Sequence, residues 1–531
     1  MQRDSDDSTR WRAAFWSLLF VTAVTKLLLA ANLSLFVDEA FYWQEGRHLA
    51  WTYSDLPPLT AWLIRTGETL FGHSTLAIRS LFIVMALLIA VVVRSISTRH
   101  FGTRVGWQAG CWALVLPLLA SFGVLALPDV PLTLLSLLAV DALDRFADQP
   151  RRWPLAVVLG IWLGLAWLTH YRAAMLWAAG LVFLLATRRG RRLWMMPGLW
   201  IASAIGVLGL LPLLFGNHVI GVDAMRFQLL DRHPWAFHAD ALIQPVEQAL
   251  VTTPALYLLL LAALIAVWRL GLRRETSSAP WDVVAAVASS FLIGYFVLGL
   301  FADNQRLRVH WPLPGYLVLL VVLPDLLNRW VRRWPAMRWV TWFSAVGAVA
   351  GTVMVYAYFF AATTTVGASA LSRYKIFPDH FVGWNEAATT TRSLLTRPDL
   401  ANVIVVADNF MLAAELDFAL DGSRRVYSLD HSLNAKHGRS AQLKFWRRDE
   451  AGLALQAGRR VLLVVEESAG RERERAAWLN SLCGRVDQLM PLTRLDLYGG
   501  AKQFAWYEGV ATTKTRIESC EYPTVPATPG S

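Results

Sequence analysis

The acidic residues of this chain fall where they could do proton chemistry at a membrane edge. Asp38 and Glu39 stand together in FVDEAFYW, directly after a long apolar run. Asp55 follows in WTYSDLPPL, and Asp129 opens another apolar run in LPDVPLTLL. Carboxylates at a bilayer boundary avoid most of the desolvation cost yet can still line a cavity between helices. Several of them converging on one face suggest a polar site that opens outward. Cations occupy comparable positions: His170 and Arg172 where one apolar run ends and the next begins, and Arg306, Arg308 and His310 in FADNQRLRVHW. Arginine binds phosphate through paired donors, so a phosphate at the membrane surface is one reading of that second group.

Each of these residues also has a structural reading, and spacing alone does not choose. Asp38 or Glu39 suits the first turn of a helix, as does Asp129 before Pro131, while Asp55 before Pro57-Pro58 suits a turn. His170 and Arg172 could snorkel to headgroups, and Arg306, Arg308 and His310 could meet anionic ones. Lys26, inside the first apolar run, fits snorkelling or a pairing to a neighbouring helix. Trp43, Trp51 and Trp235 fit an interfacial belt or a platform for a sugar ring. In SLDHSLNAKHGRS, the spacing of Asp430, His431 and His437 matches no zinc-ligand pattern and favours a hydrogen-bonded loop. Nucleophile-elbow, P-loop and Rossmann fingerprints are absent in convincing context.

The elements that must position these groups follow from composition. The chain has 531 residues, 55% hydrophobic and only 17% charged, with three cysteines. That excludes a disordered chain, a collagen and a disulfide scaffold, and points to the membrane. The net charge of +11 does not mark a nucleic-acid binder, because the arginines cluster between long apolar runs. About eleven such runs precede residue 365, near 12–36, 75–93, 105–127, 129–144, 154–169, 173–187, 194–215, 250–268, 282–301, 311–327 and 339–362. The polar start MQRDSDDSTRWR leads into a long run without a small-residue cleavage site, which reads as an uncleaved first helix.

Connecting loops alternate. One set carries Arg94, Arg99, Arg145, Arg151, Arg188, Arg191, Arg269 and Arg332; the other is poorer in arginine and holds the acids above. By the positive-inside rule the first set faces the cytoplasm and the second faces outward. An odd number of spans puts residues 366–531 outward too. There NVIVVAD (402–408) and VLLVVEES (461–468) read as buried strands, and AAELDFAL and the Arg/Glu-rich stretch after 469 as helices. The expected fold is therefore a mostly α, polytopic membrane protein of about 11–13 transmembrane helices over 1–365, with an extracytoplasmic α/β domain over 366–531. Cys483 and Cys520 both lie in that domain, where a disulfide is expected over two free thiols; Cys111 lies in a span and reads as packing.

The ordered set of motifs resembles a family. An Asp-Glu pair after the first span, Y-x-D-x-P-P from Tyr53 to Pro58, and P-D-x-P-L around Asp129 are similar to the GT-C fold glycosyltransferases that use polyprenyl-phosphate sugars. The pattern is shared by the aminoarabinose transferases of lipid A modification (ArnT-like) and by the protein O-mannosyltransferases. THYR (169–172), HWPLPGYL (310–317) and DNFMLAAELDFAL (408–420) point to the bacterial ArnT-like branch.

The resemblance implies inverting transfer of one sugar from a polyprenyl (undecaprenyl) phosphate on the outer face of the bacterial inner membrane. Lipid A or another envelope glycolipid is the leading acceptor and a protein hydroxyl the alternative; membrane lipids are the other partners, with no nucleic acid. It makes Asp38 the candidate base and Asp129 the second acid, with Glu39 and Asp55 as further acids of the donor or acceptor site. Some relatives have a metal ligand at Asp55, so a divalent metal is possible here and no other cofactor is implied. Relatives that carry a basic residue after that acid contrast with Leu56 here, which passes the phosphate role to Arg172, Arg306, Arg308 or His310. His170-Tyr171 replaces Lys-Tyr, and the WWD motif of oligosaccharyltransferases is absent. Against the enzyme reading stand a transporter or flippase, which needs polar residues at mid-bilayer and paired broken helices, and a scaffold, which would not need Asp38 or Asp129.

Overall fold

The structure, a computed structural model, describes residues 2–220, 235–271, 280–301, 309–374, 376–470, 472–513 and 522–523. All but one of the apolar runs fold largely as helices, in the order α1 (Gln2–Asn32), then α2 (Val37–Arg47) and α3 (Leu59–Phe71) in the first long loop, then α4 (Thr75–Phe101), α5 (Thr103–Leu114), α6 (Asp129–Asp148), α7 (Trp153–Trp167), α8 (Ala173–Ala186), α9 (Pro197–Leu208), α10 (Pro254–Gly271), α11 (Trp281–Phe301), α12 (Leu313–Arg333) and α13 (Met337–Ala362). Among the described residues seven helices are long and apolar enough to cross a membrane: α1, α4, α9 with its continuation to Gly216, and α10 to α13. The chain is a multi-pass membrane protein. In α4 the Ser74 side chain accepts from Ala77 N at 3.1 Å, capping the first turn. The helix stops at Gly102, whose φ of +86° suits glycine alone.

The run expected as one span over 105–127 is not one. Helix α5 ends at Leu114, a single turn covers Pro117–Ala120, and the chain continues irregularly to Asp129. Pro117 cannot donate into a continuing helix. The carbonyls freed there meet the Lys26 ammonium, which donates to Leu119 O at 3.2 Å and Ala120 O at 2.7 Å. Lys26 is accordingly buried within the bundle and does not snorkel. Gly123, at φ +79°, lets this segment press against α4, where a Cβ would sit 2.8 Å from Phe82 O.

Helix α6 links two polar ends of the bundle. Asp129 at its start meets Arg172 and His310, and Asp144, near its other end, meets Arg99, His100 and Arg189. Fifteen residues of α-helix separate the two aspartates, roughly 22 Å.

After α13 the chain builds α14 (Trp384–Leu395), β1 (Ile404–Ala407), α15 (Phe410–Ala419), β2 (Val426–Ser428), α16 (Ser432–Lys436), α17 (Ser440–Phe445), β3 (Arg460–Glu466), α18 (Glu472–Leu479), β4 (Val486–Leu497) and β5 (Lys502–Ala511). The sheet order is β2-β1-β3-β5-β4, parallel across β2-β1-β3 and antiparallel from β3 onward. Strands β1 and β3 are continuous apolar runs because helices or loops cover both faces. One face, with Leu462, Val464, Phe504 and Trp506, is continuous with a core that includes Phe41 and Trp43 of α2 and the bundle. The other, with Val461, Leu463 and Tyr507, closes a smaller core. Helix α15 lies against α2, so the C-terminal module is seated on the first loop. Cys483 is a disulfide cysteine and Cys111 a buried free thiol; Cys520 lies outside the described residues.

Candidate active site

Helix α2 presents two faces. Asp38, Tyr42 and Glu45 are spaced i, i+4, i+7 and share one stripe; Glu39 points elsewhere. The N-cap position belongs to Phe36, and Phe36 N donates to Glu39 Oε2 at 2.8 Å, so Asp38 is not the cap. Nor is Asp129, which follows the N-cap Pro128. Glu39 is fully buried against Arg79, whose Nε and Nη2 donate to its two oxygens at 2.9 and 2.6 Å. The remaining Arg79 donors reach Ala30, Leu33 and Ser34 carbonyls, satisfying all five N–H groups. Glu39 also accepts from Ala126 N at 2.5 Å, three residues before Asp129. The expectation of Glu39 as an acid facing substrate is therefore corrected: it is a strut that ties α2 to α4 and to the approach of α6.

The other stripe converges on a residue of the C-terminal module. Arg439, buried, donates through Nη2 to Asp38 Oδ1 at 3.0 Å and through Nη1 to Asp55 Oδ2, with Glu45 Oε1 3.8 Å away. Its guanidinium lies over the Phe41 ring at 4.3 Å and the Tyr42 ring at 5.1 Å. The first loop grips the same segment: Ser54 Oγ donates to Gly438 O at 2.8 Å, and Ser54 N to Gln442 Oε1 at 2.9 Å. Of the three carboxylates only Asp38 is open, 26% exposed against 4% for Asp55 and 1% for Glu45. Burial, reinforced by the charge of Asp55 beside it, pushes the Glu45 carboxyl well up. Burial raises Asp55 as well, opposed by Arg439. Tyr53 is a brace: its hydroxyl donates to Glu45 O at 2.8 Å and accepts from Ala50 N at 3.1 Å.

Around Asp129 the balance of charge is reversed. One carboxylate oxygen accepts from Arg172 Nη2 at 2.6 Å and lies 3.0 Å from His310 Nε2. Arg172 lies over the Trp311 ring at 5.1 Å, and its backbone N donates to His170 Nδ1 at 3.0 Å. Tyr171 is half-buried next to His170. Arg172 and His310 are thus brought together and are not solvated belts; Arg306 and Arg308 lie outside the described residues. Trp43 is buried and donates to Glu68 at 2.7 Å, which excludes it as a sugar platform, whereas Trp51 and Trp235 are exposed. His431 caps α16 through Nδ1, in the hydrogen-bonded loop expected there. A cavity of about 840 Å³ lies between residues 48–52 of the first loop, residues 211–216 and α17, lined mainly by apolar side chains that include Trp51, Leu211, Phe215 and Trp446, with Gln442 on its wall.

The residues present do not fit a divalent metal at Asp55 or Asp129, since each carboxylate already faces a guanidinium. Glu68, His73 and Asp421 also converge, yet Glu68 accepts from Trp43 and from Arg65 at 2.8 Å, with Arg47 3.8 Å away. Glu45 and Arg439 were not singled out from the sequence. Glu45 left a signal, two helical turns beyond Asp38; Arg439, 401 residues from Asp38, left none.

Comparisons with known proteins bear on the fold. The profile of the dolichyl-phosphate-mannose-protein mannosyltransferase family matches residues 55–215. The lipid A galacturonosyltransferase RgtD of Rhizobium johnstonii is 32% identical over 184 residues, covering 34% of this chain and 38% of that relative. The chain thus matches well under half the length of that relative. Among solved structures, ArnT from Cupriavidus metallidurans bound to undecaprenyl phosphate superimposes with a TM-score of 0.64 at 15% identity, over 94% of this chain and 98% of that one. The Archaeoglobus fulgidus oligosaccharyltransferase tethered to an acceptor peptide gives 0.51 at 11% identity, over 87% and 70%. The fold is GT-C, of the ArnT type.

Proposed function

We propose that this chain, with its ArnT-type GT-C fold, is an inverting glycosyltransferase that moves one sugar from a polyprenyl (undecaprenyl) phosphate to lipid A or another envelope glycolipid. The observation that carries this reading is the division of the site. Three carboxylates surround one arginine on one side, and an arginine and a histidine surround one carboxylate on the other. Transfer from a sugar phosphate needs both halves: a base for the acceptor hydroxyl, and cations for the departing phosphate.

Asp38, the exposed acid, takes the acceptor proton as the acceptor oxygen bonds to the anomeric carbon. The bond from that carbon to the phosphate oxygen breaks on the opposite face, which inverts the centre. Arg172 and His310 receive the phosphate, and Asp129 holds both of them in position. The apolar cavity along residues 48–52 of the first loop is large enough for lipid hydrocarbon. The acids and the C-terminal module share one end of the bundle and the Arg99–Arg189 cluster occupies the other, so the positive-inside rule supports a periplasmic site in the bacterial inner membrane.

A protein hydroxyl as acceptor is the second reading, favoured by the mannosyltransferase profile over residues 55–215; the lipid A enzyme at 32% identity favours the glycolipid. The test is release of free polyprenyl phosphate by purified protein given a panel of prenyl-phosphate sugars. A lipid extract or a peptide pool serves as acceptor. Release that depends on the lipid and disappears in Asp38→Asn is expected. Release unaffected by that substitution overturns the base assignment, and binding of donor without release points to a transporter.

A further inference from the structure

We propose that Arg439 stands in for a metal ion: it is a resident cation that balances Asp38 and Asp55, with the Glu45 carboxyl beside them, and positions Asp38, so that the site works without a divalent metal. The part of this that concerns turnover rests on Asp38 acting as the base; the part that concerns charge balance does not.

The geometry is that of a bridging cation. Separate Nη atoms of one guanidinium meet Asp55 and Asp38, and Glu45 stands 3.8 Å from Nη1. Oxygen ligands from three positions converging on one centre are what a hard divalent ion would demand. Here a guanidinium fills the centre and is itself buried. Its seat is built for the purpose. Arg439 N donates to Asn434 O at 2.8 Å, and buried Asn434 is fixed by Ser428 Oγ and Leu429 O. Phe41 and Tyr42 cover the cation from α2. Leu56, next to Asp55, is buried and brings no charge, so the cation arrives from the other module. Arginine suits the task because it stays charged at any working pH and presents paired donors in a fixed plane. The C-terminal module therefore contributes a positioning residue to the site.

The test uses the full-length protein in detergent: native, Arg439→Ala, Arg439→Lys and the double variant Arg439→Ala/Asp55→Asn. Metal content after EDTA dialysis, Mn²⁺ binding by calorimetry and the thermal midpoint with and without Mn²⁺ are measured. Native protein is expected to hold no stoichiometric metal and to keep its midpoint in EDTA. Arg439→Ala, with its carboxylates around a vacated space, is expected to bind about one Mn²⁺ per chain and to rise in midpoint with it. The double variant loses that response. In turnover, Arg439→Ala falls about a hundredfold, and its acid limb moves to higher pH because a carboxylate has lost its cation. Mn²⁺ restores part of the rate.

Stoichiometric metal in the native protein, with a midpoint that collapses in EDTA, overturns the proposal. So does a folded Arg439→Ala that binds no Mn²⁺ and keeps the native pH profile. Should Arg439→Ala fail to fold, Arg439→Lys and the native EDTA arm decide: continued indifference to metal supports the proposal, and stabilisation of either by Mn²⁺ overturns it. A chain that transfers no sugar still answers through metal content and midpoints, which separates failure of this proposal from failure of the transferase reading.

Discussion

The two ends of α6 carry buried charge in opposite ways. At the Asp144 end the charges are matched. Arg189 reaches Asp144, Asp148 and Asp282 at 2.6 to 2.8 Å, Arg99 reaches Asp144 at 2.7 Å, and His100 closes the same carboxylate. Arg99 and Arg145 share Asp141 as well. At the Asp129 end the charges are segregated, with carboxylates in excess around Arg439 and cations in excess around Asp129. A buried network in which each charge has its partner fixes helices against one another. An unbalanced one leaves its excess for something that arrives: a proton from one side and an anion on the other.

The largest effect should come from Asp38→Asn. It removes the proposed base while leaving a side chain of the same shape. Turnover should fall about 10²- to 10⁴-fold, out of proportion to the change in thermal midpoint, because Asp38 is partly exposed and Arg439 keeps Asp55 as a partner. A midpoint that falls along with activity would make Asp38 a structural residue, and the contrast between the ends would be lost. Glu39→Gln should do the reverse. Breaking the fully buried pair with Arg79 leaves an uncompensated charge and costs about 3–5 kcal/mol of stability, read as the denaturation midpoint in detergent. Activity should follow the folded fraction and show no separate loss of donor binding.

At the matched end, Asp144→Asn should cost about 1–3 kcal/mol, because Asp148 and Asp282 still hold Arg189. The rate per folded molecule should stay at the native value. A fall in that rate at constant stability would show that the matched cluster takes part in function, and would break the comparison from its other side. Arg172→Lys sharpens it: losing the planar donor pair while keeping charge should raise the donor KM with a smaller change in kcat.

Much of this contrast was written locally. Hydropathy located the helices because a bilayer demands long apolar runs, and arginine alternation separated the two ends. Asp38, Asp129, Arg172 and His310 could be singled out because each sits at a junction where polarity changes. What could not be read were the decisions made by distant contacts. Lys26 allows the 105–127 run to break by meeting carbonyls some 93 residues away. Glu39 and Asp38 are neighbours in sequence but face opposite ways on α2, and only the partner, Arg79 or Arg439, decides which becomes strut and which stays open. Strand β4 leaves no such signal because it is half-exposed and bulged and lacks the continuous apolar run that marks β1 and β3. Arg439 sits in a segment first weighed for its histidines; nothing local distinguishes it from any solvated arginine.

The smallest effect is also the most specific to the unbalanced end. Burial and the nearby charge of Asp55 penalise the Glu45 carboxylate and push its pKa well up in the folded protein. In the unfolded chain it ionises near its ordinary value of 4.5. Between that value and its raised folded value the folded state binds more protons, so stability falls as pH rises. Below about 4.5 both states are protonated and the contribution is complete. Glu45→Gln keeps the shape and a donor but cannot ionise. Its midpoint should match the native one near pH 4.5 and exceed it progressively toward pH 8. Tyr53, which donates to the Glu45 backbone carbonyl and not its side chain, should be unaffected. A variant whose midpoint runs parallel to the native one at every pH would mean that Glu45 is charged when folded. Arg439 would then face three anions, and the proton assigned to this half of the site would have to lie elsewhere.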